Sequence, residues 1–284
     1  LCEPYLPRGM ITILAGVAGQ GKTTLALWLA SQVSNGSLMP DGEPGTVFYF
    51  TVENDESIVL RPRLEAMGAN LEKIVIQRSD TPQTTLGDPA LAEMTSLYGY
   101  KPDLIVFDPV QSYLGRKCDM NRTDDVRRVM DKLNKVVRTT NAAALLICHI
   151  RKVPMGFNGR PTDLINGSSD FVNVARSVCF LGRDPDHPDT CVVAQDKNSL
   201  GLPGASLAFT IGSTLLESDG SSYTFTMKDA VTITAVNAAG YALPGTGGGA
   251  LWLQLAGAAL AALAVLAYNW INVKKQKAKG RTRQ

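Results

Sequence analysis

The stretch that decides the fold is Ile11-Thr-Ile-Leu-Ala-Gly16-Val-Ala-Gly19-Gln20-Gly21-Lys22-Thr23-Thr24. From Gly16 to Thr23 it matches G-x-x-x-x-G-K-[ST] with no departure. It lies between an apolar, strand-like run, Ile11–Leu14, and a helix-like run, Thr24–Ala30. That context is what the motif demands, because the glycines turn backbone N–H groups inward around phosphates and the helix start adds its positive end. Lys22 is placed to neutralise β and γ phosphates and Thr23 to ligate Mg²⁺, so ATP with Mg²⁺ is the expected ligand. Gly16, Gly19, Gln20, Gly21 and Thr24 complete the expected nucleotide contacts.

Outward from this loop, short apolar runs alternate with amphipathic stretches through residue 211, the pattern of an α/β fold with a mostly parallel central sheet. The strands expected are Met10–Ala15, Thr46–Val52, Ile74–Gln77, Leu104–Asp108, Ala143–Cys148, Ser177–Gly182, Thr190–Asp196 and Ser206–Ile211. The clearest helix follows Thr123, a plausible N-cap. Asp124 and Asp125 suit a helix start, and Val126, Val129, Met130, Leu133, Val136 and Val137 recur at helical spacing.

Three of these strands end in a side chain with chemistry. Asp108 closes Leu104-Ile-Val-Phe-Asp108, where a second acid reaches the Mg²⁺ shell. Glu53 follows Thr46–Val52 and is placed to polarise an attacking water as general base. His149 follows Ala143–Cys148, where it either senses the γ-phosphate or is a satisfied core histidine.

Bulk properties set few further limits. Of the chain's 284 residues, 45% are apolar, enough for a large core, and the net charge of +2 selects no partner class. Five cysteines without a CxxC pair read as reduced, buried thiols rather than a disulfide framework. With two histidines, a histidine-rich zinc site is not expected. The N-terminus is Leu1 and runs almost directly into a strand, which reads as a partial chain with no secretory signal in view.

Taken together, the features of the first 210 or so residues resemble the RecA-like P-loop ATPases, specifically the RepA-like hexameric helicase group of plasmids and phage-like elements. The resemblance is carried by the phosphate loop, Phe48-Tyr-Phe-Thr-Val-Glu53, Leu104–Asp108-Pro109, Ile147-Cys-His149-Ile-Arg-Lys152, Gly167-Ser-Ser-Asp170 through Ala175-Arg176, and Asp196-Lys197-Asn198. It implies a catalytic carboxylate at Glu53, a sensor position at His149, and a homo-oligomeric ring in which Arg176 and Lys197 reach a neighbouring subunit's nucleotide. It also implies that Arg151–Asn166, with Arg151, Lys152 and Arg160, is a mobile loop facing DNA. A DNA helicase or replication ATPase of a mobile element, working in the cytoplasm, is the function so implied.

The remainder has a different composition. Residues 216–242 form a Thr/Ser-rich β fragment or linker, with Tyr223, Phe225 and Met227, then Val231 and Ile233, alternating as in a hairpin. Residues 243–284 begin with Leu243-Pro-Gly-Thr-Gly247. An apolar segment follows, uncharged over Ala250–Ala267, and then a tail with Lys274, Lys275, Lys277, Lys279, Arg281 and Arg283. Such a segment is long enough to span a bilayer as one helix. The order of motif, apolar span and basic tail resembles the LPxTG sortase sorting signal of Gram-positive surface proteins, which implies a membrane, sortase or cell-wall partner. A cytosolic ATPase and an exported anchor conflict, so the expectation is a fused or misjoined reading frame in three parts, 1–215, 216–242 and 243–284, with the junction near Gly212–Ser222; a membrane-tethered ATPase is the second option and an accidental apolar C-terminal helix the third. A wall-anchored surface protein is the alternative function.

Overall fold

Parallel strands buried on both faces are written as unbroken apolar runs, and the runs flanking the phosphate loop are of this kind. The computed structural model describes residues 1–53, 59–77, 84–86, 88, 91, 93, 101–153 and 157–211, with three short strand pairs of residues beyond them. Within it β1 (Ile11–Gly16), β2 (Val47–Thr51), β3 (Ile74–Ile76), β4 (Leu104–Asp108), β5 (Ala143–His149) and β6 (Ser177–Arg183) lie parallel, and β7 (Thr190–Asn198) and β8 (Leu207–Thr210) continue the sheet antiparallel. All eight strands read from the sequence are present, with ends shifted by a residue or two. Past them, β9 (Thr214–Leu215) pairs with β10 (Tyr223–Thr224), while β11 (Thr234–Ala235) pairs antiparallel with β8. The sheet order is β11-β8-β7-β6-β1-β5-β4-β2-β3.

The strands read from the sequence for this sheet end with Ser206–Ile211, but β8 is not its edge, because β11 pairs with it. Two residues of Thr/Ser-rich chain carry too little apolar periodicity to announce such a strand. Of the expected hairpin, Tyr223 is seen opposite Leu215, whereas Phe225, Met227, Val231 and Ile233 lie outside the described residues.

Alternate strand residues face opposite layers. Ile11, Ile13, Phe48, Phe50, Ile105 and Phe107 turn towards helix α3 (Thr123–Thr140), which buries Val126, Val129, Met130, Leu133 and Val137 against them. Leu14, Val47, Tyr49, Val106, Leu145 and Ile147 turn the other way, onto helix α1 (Lys22–Ser34). The short helices α2 (Arg61–Ala66) and α4 (Asp170–Val174) complete the two outer layers. Thr123 is the first helical residue of α3 rather than its cap; the N-cap is Arg122, and the Thr123 hydroxyl accepts from Ser168 Oγ at 3.5 Å.

Two compact units divide the chain: Leu1–Val236 with Leu243–Gly245, and Asn237–Ala242 with Thr246–Gln284. The second unit, and with it the apolar segment and the basic tail, lies outside the described residues, as does the whole LPxTG motif. Among the described residues no helix is long and apolar enough to cross a membrane.

Candidate active site

The parallel register brings four strand ends to one edge. Gly16 at the end of β1 lies beside His149 at the end of β5, and Thr51 at the end of β2 lies beside Asp108 at the end of β4. Glu53 follows two residues after Thr51. Residues far apart in the chain therefore meet because each of their strands stops at the same level, with the loops at the carboxyl edge of the parallel sheet free to carry chemistry.

The loop itself is shaped by glycines. Gly19 and Gly21 have φ of +76° and +98°, values that favour residues without a side chain, and Gly21 sits at the N-cap of α1. At Gly16 an added Cβ would lie 2.5 Å from the Leu181 carbonyl oxygen. Lys22, 5% exposed, donates through Nζ to the carbonyl oxygens of Gly16 and Val17 at 2.9 and 2.7 Å. Burial pushes its pKa down, and Asp108 and Glu53 oppose that shift.

Thr23 Oγ1 donates to Asp108 Oδ2 at 2.8 Å, and the Tyr49 hydroxyl donates to the same oxygen at 3.1 Å. Asp108 is 2% exposed; burial raises its pKa, and the hydrogen bonds from Thr23 and Tyr49 hold it down. A buried carboxylate paired with a hydroxyl at the start of a phosphate-loop helix is an oxygen donor set suited to Mg²⁺. Beneath it, Phe50 stacks on Phe107 with centroids 4.7 Å apart, and Tyr113 meets both edge-on. Burial also raises the Tyr113 pKa.

Glu53 Oε1 is 3.8 Å from His149 Nε2, with the two side chains 50% and 36% exposed. A pair so exposed is worth ~0–1 kcal/mol of stability, so its significance is placement. The carboxylate stands open to solvent beside the phosphate loop, where a water-activating base is needed. The satisfied-core reading of His149 does not describe this position, since its ring lies beside Glu53.

Arg176 and Lys197 lie elsewhere. Ser177 pairs with Thr12 and Lys197 with Val178, so both cations sit toward the amino-terminal edge of the parallel strands, away from Lys22 in the same chain. Lys197 Nζ donates to the carbonyl oxygens of Val172, Asn173 and Ala175 at 2.7, 3.4 and 2.8 Å, closing the end of α4. Burial and then Arg176 lower its pKa. Arg176 is exposed and held through its backbone, by Arg176 N to Ile11 O and Ser199 N to Arg176 O.

The segment expected to face DNA is tied at its base. Ile150 bridges Ile165, Arg151 N donates to Leu164 O, and Asn166 N donates to His149 O. The Arg151 guanidinium reaches the Asp163 carbonyl, and Arg160 lies 3.8 Å from the Asp163 carboxylate. Lys152 is exposed, and residues 154–156 are outside the described set.

Two residues escaped the sequence reading. Tyr49 looks like one more aromatic of an apolar strand, and only its hydrogen bond to Asp108 marks it. Gln111, just past Pro109, reaches the Asn166 carbonyl at 3.5 Å through Nε2 and leaves its Oε1 buried without a partner; Gln20 Oε1 is in the same condition. A polar residue two or three positions after a strand-end acid was the one signal available for Gln111.

Known proteins agree with this architecture. The ATPase domain of G40P superposes with a TM-score of 0.57 at 16% identity, covering 72% of this chain and 82% of that one. A DnaB-like replicative helicase, described with its interactions with primase, superposes with a TM-score of 0.55 at 16% identity, covering 72% and 57%. At such identities the likeness is one of fold. DNA repair protein RadA of Aquifex aeolicus (strain VF5) is 26% identical over 151 residues, 52% of this chain and 30% of that protein, so the chain spans about a third of that relative's length. The AAA domain family AAA_25 matches residues 1–155, more than half of the chain. The chain belongs to that family and is a P-loop ATPase.

Proposed function

We propose that this AAA-domain ATPase is a Mg²⁺-dependent, ring-forming motor acting on DNA, a helicase or replication ATPase of a mobile element. The observation that carries the reading is the convergence of Lys22, Thr23, Asp108, Glu53 and His149 on one sheet edge from four parallel strands. Gly16, Gly19, Gln20, Gly21, Lys22, Thr23 and Thr24 would hold the nucleotide, and Thr23 with Asp108 the metal. The metal, when bound, neutralises charge on the phosphates. Glu53 would take the proton of the attacking water. His149, beside it, would orient that carboxylate and feel the bound phosphate. Arg176 and Lys197 would serve a neighbouring copy's nucleotide, which fits their distance from their own chain's loop, although Lys197 also closes α4.

The ring and DNA assignments are supported by the fold it shares with a DnaB-like replicative helicase. ATP as the fuel points to the cytoplasm for this part of the chain. A loading or regulatory ATPase of the same fold is a second reading, favoured by the ion pairing and backbone bonding of Arg151 and Arg160, which leave Lys152 as the freest cation of the segment. The test is ATP hydrolysis and displacement of a labelled strand from forked DNA, for parent and Lys22→Ala. Hydrolysis lost in Lys22→Ala, with displacement by the parent, is the expected result. Parental hydrolysis in Lys22→Ala would overturn the site, and DNA-stimulated hydrolysis without displacement would select the second reading.

A further inference from the structure

Asp108 is held by two hydroxyls that reach it from different elements. Strand β2 lies beside β4, with Tyr49 opposite Val106 and Thr51 opposite Asp108. Val47, Tyr49, Leu104 and Val106 turn onto α1, and by the two-residue alternation of strands Asp108 continues that face. Two residues of strand advance the chain by about 6.6 Å, a distance that a tyrosine side chain spans. The Tyr49 hydroxyl therefore arrives at the level of the acid and donates to Asp108 Oδ2 at 3.1 Å. Thr23 Oγ1, from the first turn of α1, donates to the same oxygen at 2.8 Å. Among the described residues no hydrogen bond falls on Oδ1, whose lone pairs stay available.

The two donors differ in freedom. Tyr49 is wholly buried, so its ring is fixed by packing, and burial holds its pKa well above the ordinary value and keeps it a donor. Thr23 is the residue whose own oxygen a phosphate-loop metal takes up. Tyr113 supplies a contrast. It is equally buried, meets Phe50 and Phe107 edge-on, and its hydroxyl has no hydrogen-bond partner. A buried hydroxyl near this acid is thus tolerated without a bond to it, whereas that of Tyr49 is aimed at the carboxylate. Groups that hydrogen-bond a metal-binding carboxylate fix its orientation and tune the affinity of the site.

We propose that Tyr49 is a positioning residue for the metal site: its hydroxyl fixes the rotation of the Asp108 carboxylate, so that Thr23 and Asp108 form a ready pair of oxygen ligands for Mg²⁺. This deepens the Thr23–Asp108 metal reading above and rests on it. Without the Tyr49 donor, Thr23 alone holds Oδ2, the carboxylate is free to turn about its Cβ–Cγ bond, and ordering it falls to metal binding. Metal affinity drops as a result, while the grip of Lys22 and the loop backbone on the nucleotide is untouched. Tyr49 itself meets neither phosphate nor water and takes no part in the chemistry.

The test is Mn²⁺ binding to the whole chain loaded with a non-hydrolysable ATP analogue, read from the electron paramagnetic resonance signal of free Mn²⁺. Binding of the analogue in EDTA is measured alongside. Tyr49→Phe keeps the ring and is expected to weaken Mn²⁺ about 10–100-fold, the usual effect of losing a partner of a metal ligand, with analogue binding in EDTA unchanged. ATP hydrolysis should then need more Mg²⁺ for its half-maximal rate, and kcat should recover at saturating Mg²⁺. Tyr113→Phe removes a hydroxyl that bonds to nothing and should keep the parental Mn²⁺ affinity. Parental affinity in Tyr49→Phe, or the same loss in Tyr113→Phe, would overturn the inference. So would an equal loss of analogue binding in EDTA, the mark of a general disturbance of the fold. Asp108→Asn separates the two readings. If it keeps parental Mn²⁺ affinity, Asp108 is no metal ligand and both fall; if it loses affinity while Tyr49→Phe does not, only the role of Tyr49 falls.

Discussion

The two edges of the parallel sheet are built by opposite means. At the carboxyl edge, chemistry is assembled by burial: Lys22 and Asp108 are sunk to 5% and 2% exposure, and Thr23 and Tyr49 hydroxyls satisfy the acid. At the amino edge, Arg138 and Arg176 are left exposed, with backbone rather than side-chain partners positioning the latter. A site that must hold a metal and phosphates in one geometry gains from low dielectric and fixed donors. Exposed guanidinium groups without a carboxylate partner keep their donors available, since one already satisfied by a carboxylate has little left to offer.

Substitutions at the two edges should therefore fail differently. The largest effect is expected at Glu53, where Glu53→Gln should bind ATP as the parent does and turn over about 10²–10⁴-fold more slowly, the usual cost of losing a positioned base. Single-turnover hydrolysis beside nucleotide binding separates the two, and unchanged turnover would move the base role to another acid. Next comes Arg176→Ala, expected to lower kcat on the order of 10²–10³-fold with little loss of nucleotide affinity, as for a donor aimed at developing charge. If affinity falls and kcat does not, Arg176 is no transition-state group, and the contrast between edges is wrong.

A smaller effect is expected in stability alone. Arg127 binds Asp170 through two bonds of 2.7 and 2.8 Å, joining α3 to α4, whose carboxyl end Lys197 closes. The hydrogen bond from Arg127 is the first cause of a lowered Asp170 pKa. In the unfolded chain that carboxyl titrates near ~3.9. The pair thus contributes its full stability above that value and loses it as pH falls through the lower native pKa. Melting temperature followed from pH 7 to pH 2 should fall less steeply in Asp170→Asn than in the parent. Parallel acid limbs would show that the pair does not tie these helices.

The smallest effect is expected from the tail. A chain ending at Val236 should keep parental ATPase activity, whereas one ending at residue 215 loses β11 and should melt slightly lower, because β8 becomes an open edge. Loss of ATPase in the longer truncation would make residues 237–284 part of the enzyme rather than a separate unit.

The sequence by itself determined the loop, the parallel sheet and the acids at strand ends, because each is a local pattern: glycines with Lys22-Thr23 after an apolar run, and Asp108 or Glu53 after another. The eight strands through residue 211 were legible for the same reason, since apolar runs between turns have no other use in a buried sheet. What the chain could not announce was anything that depends on register across the sheet. Only the tertiary structure put Tyr49 on Asp108, set His149 beside Glu53, and gathered Arg8, Arg138 and Arg176 from three separate elements into one cleft. Only there did Lys197 prove to close α4, and Thr234–Ala235 to cover β8. The physical reason is that a strand's own pattern states which faces it buries, while its neighbours are chosen by the packing of the whole sheet.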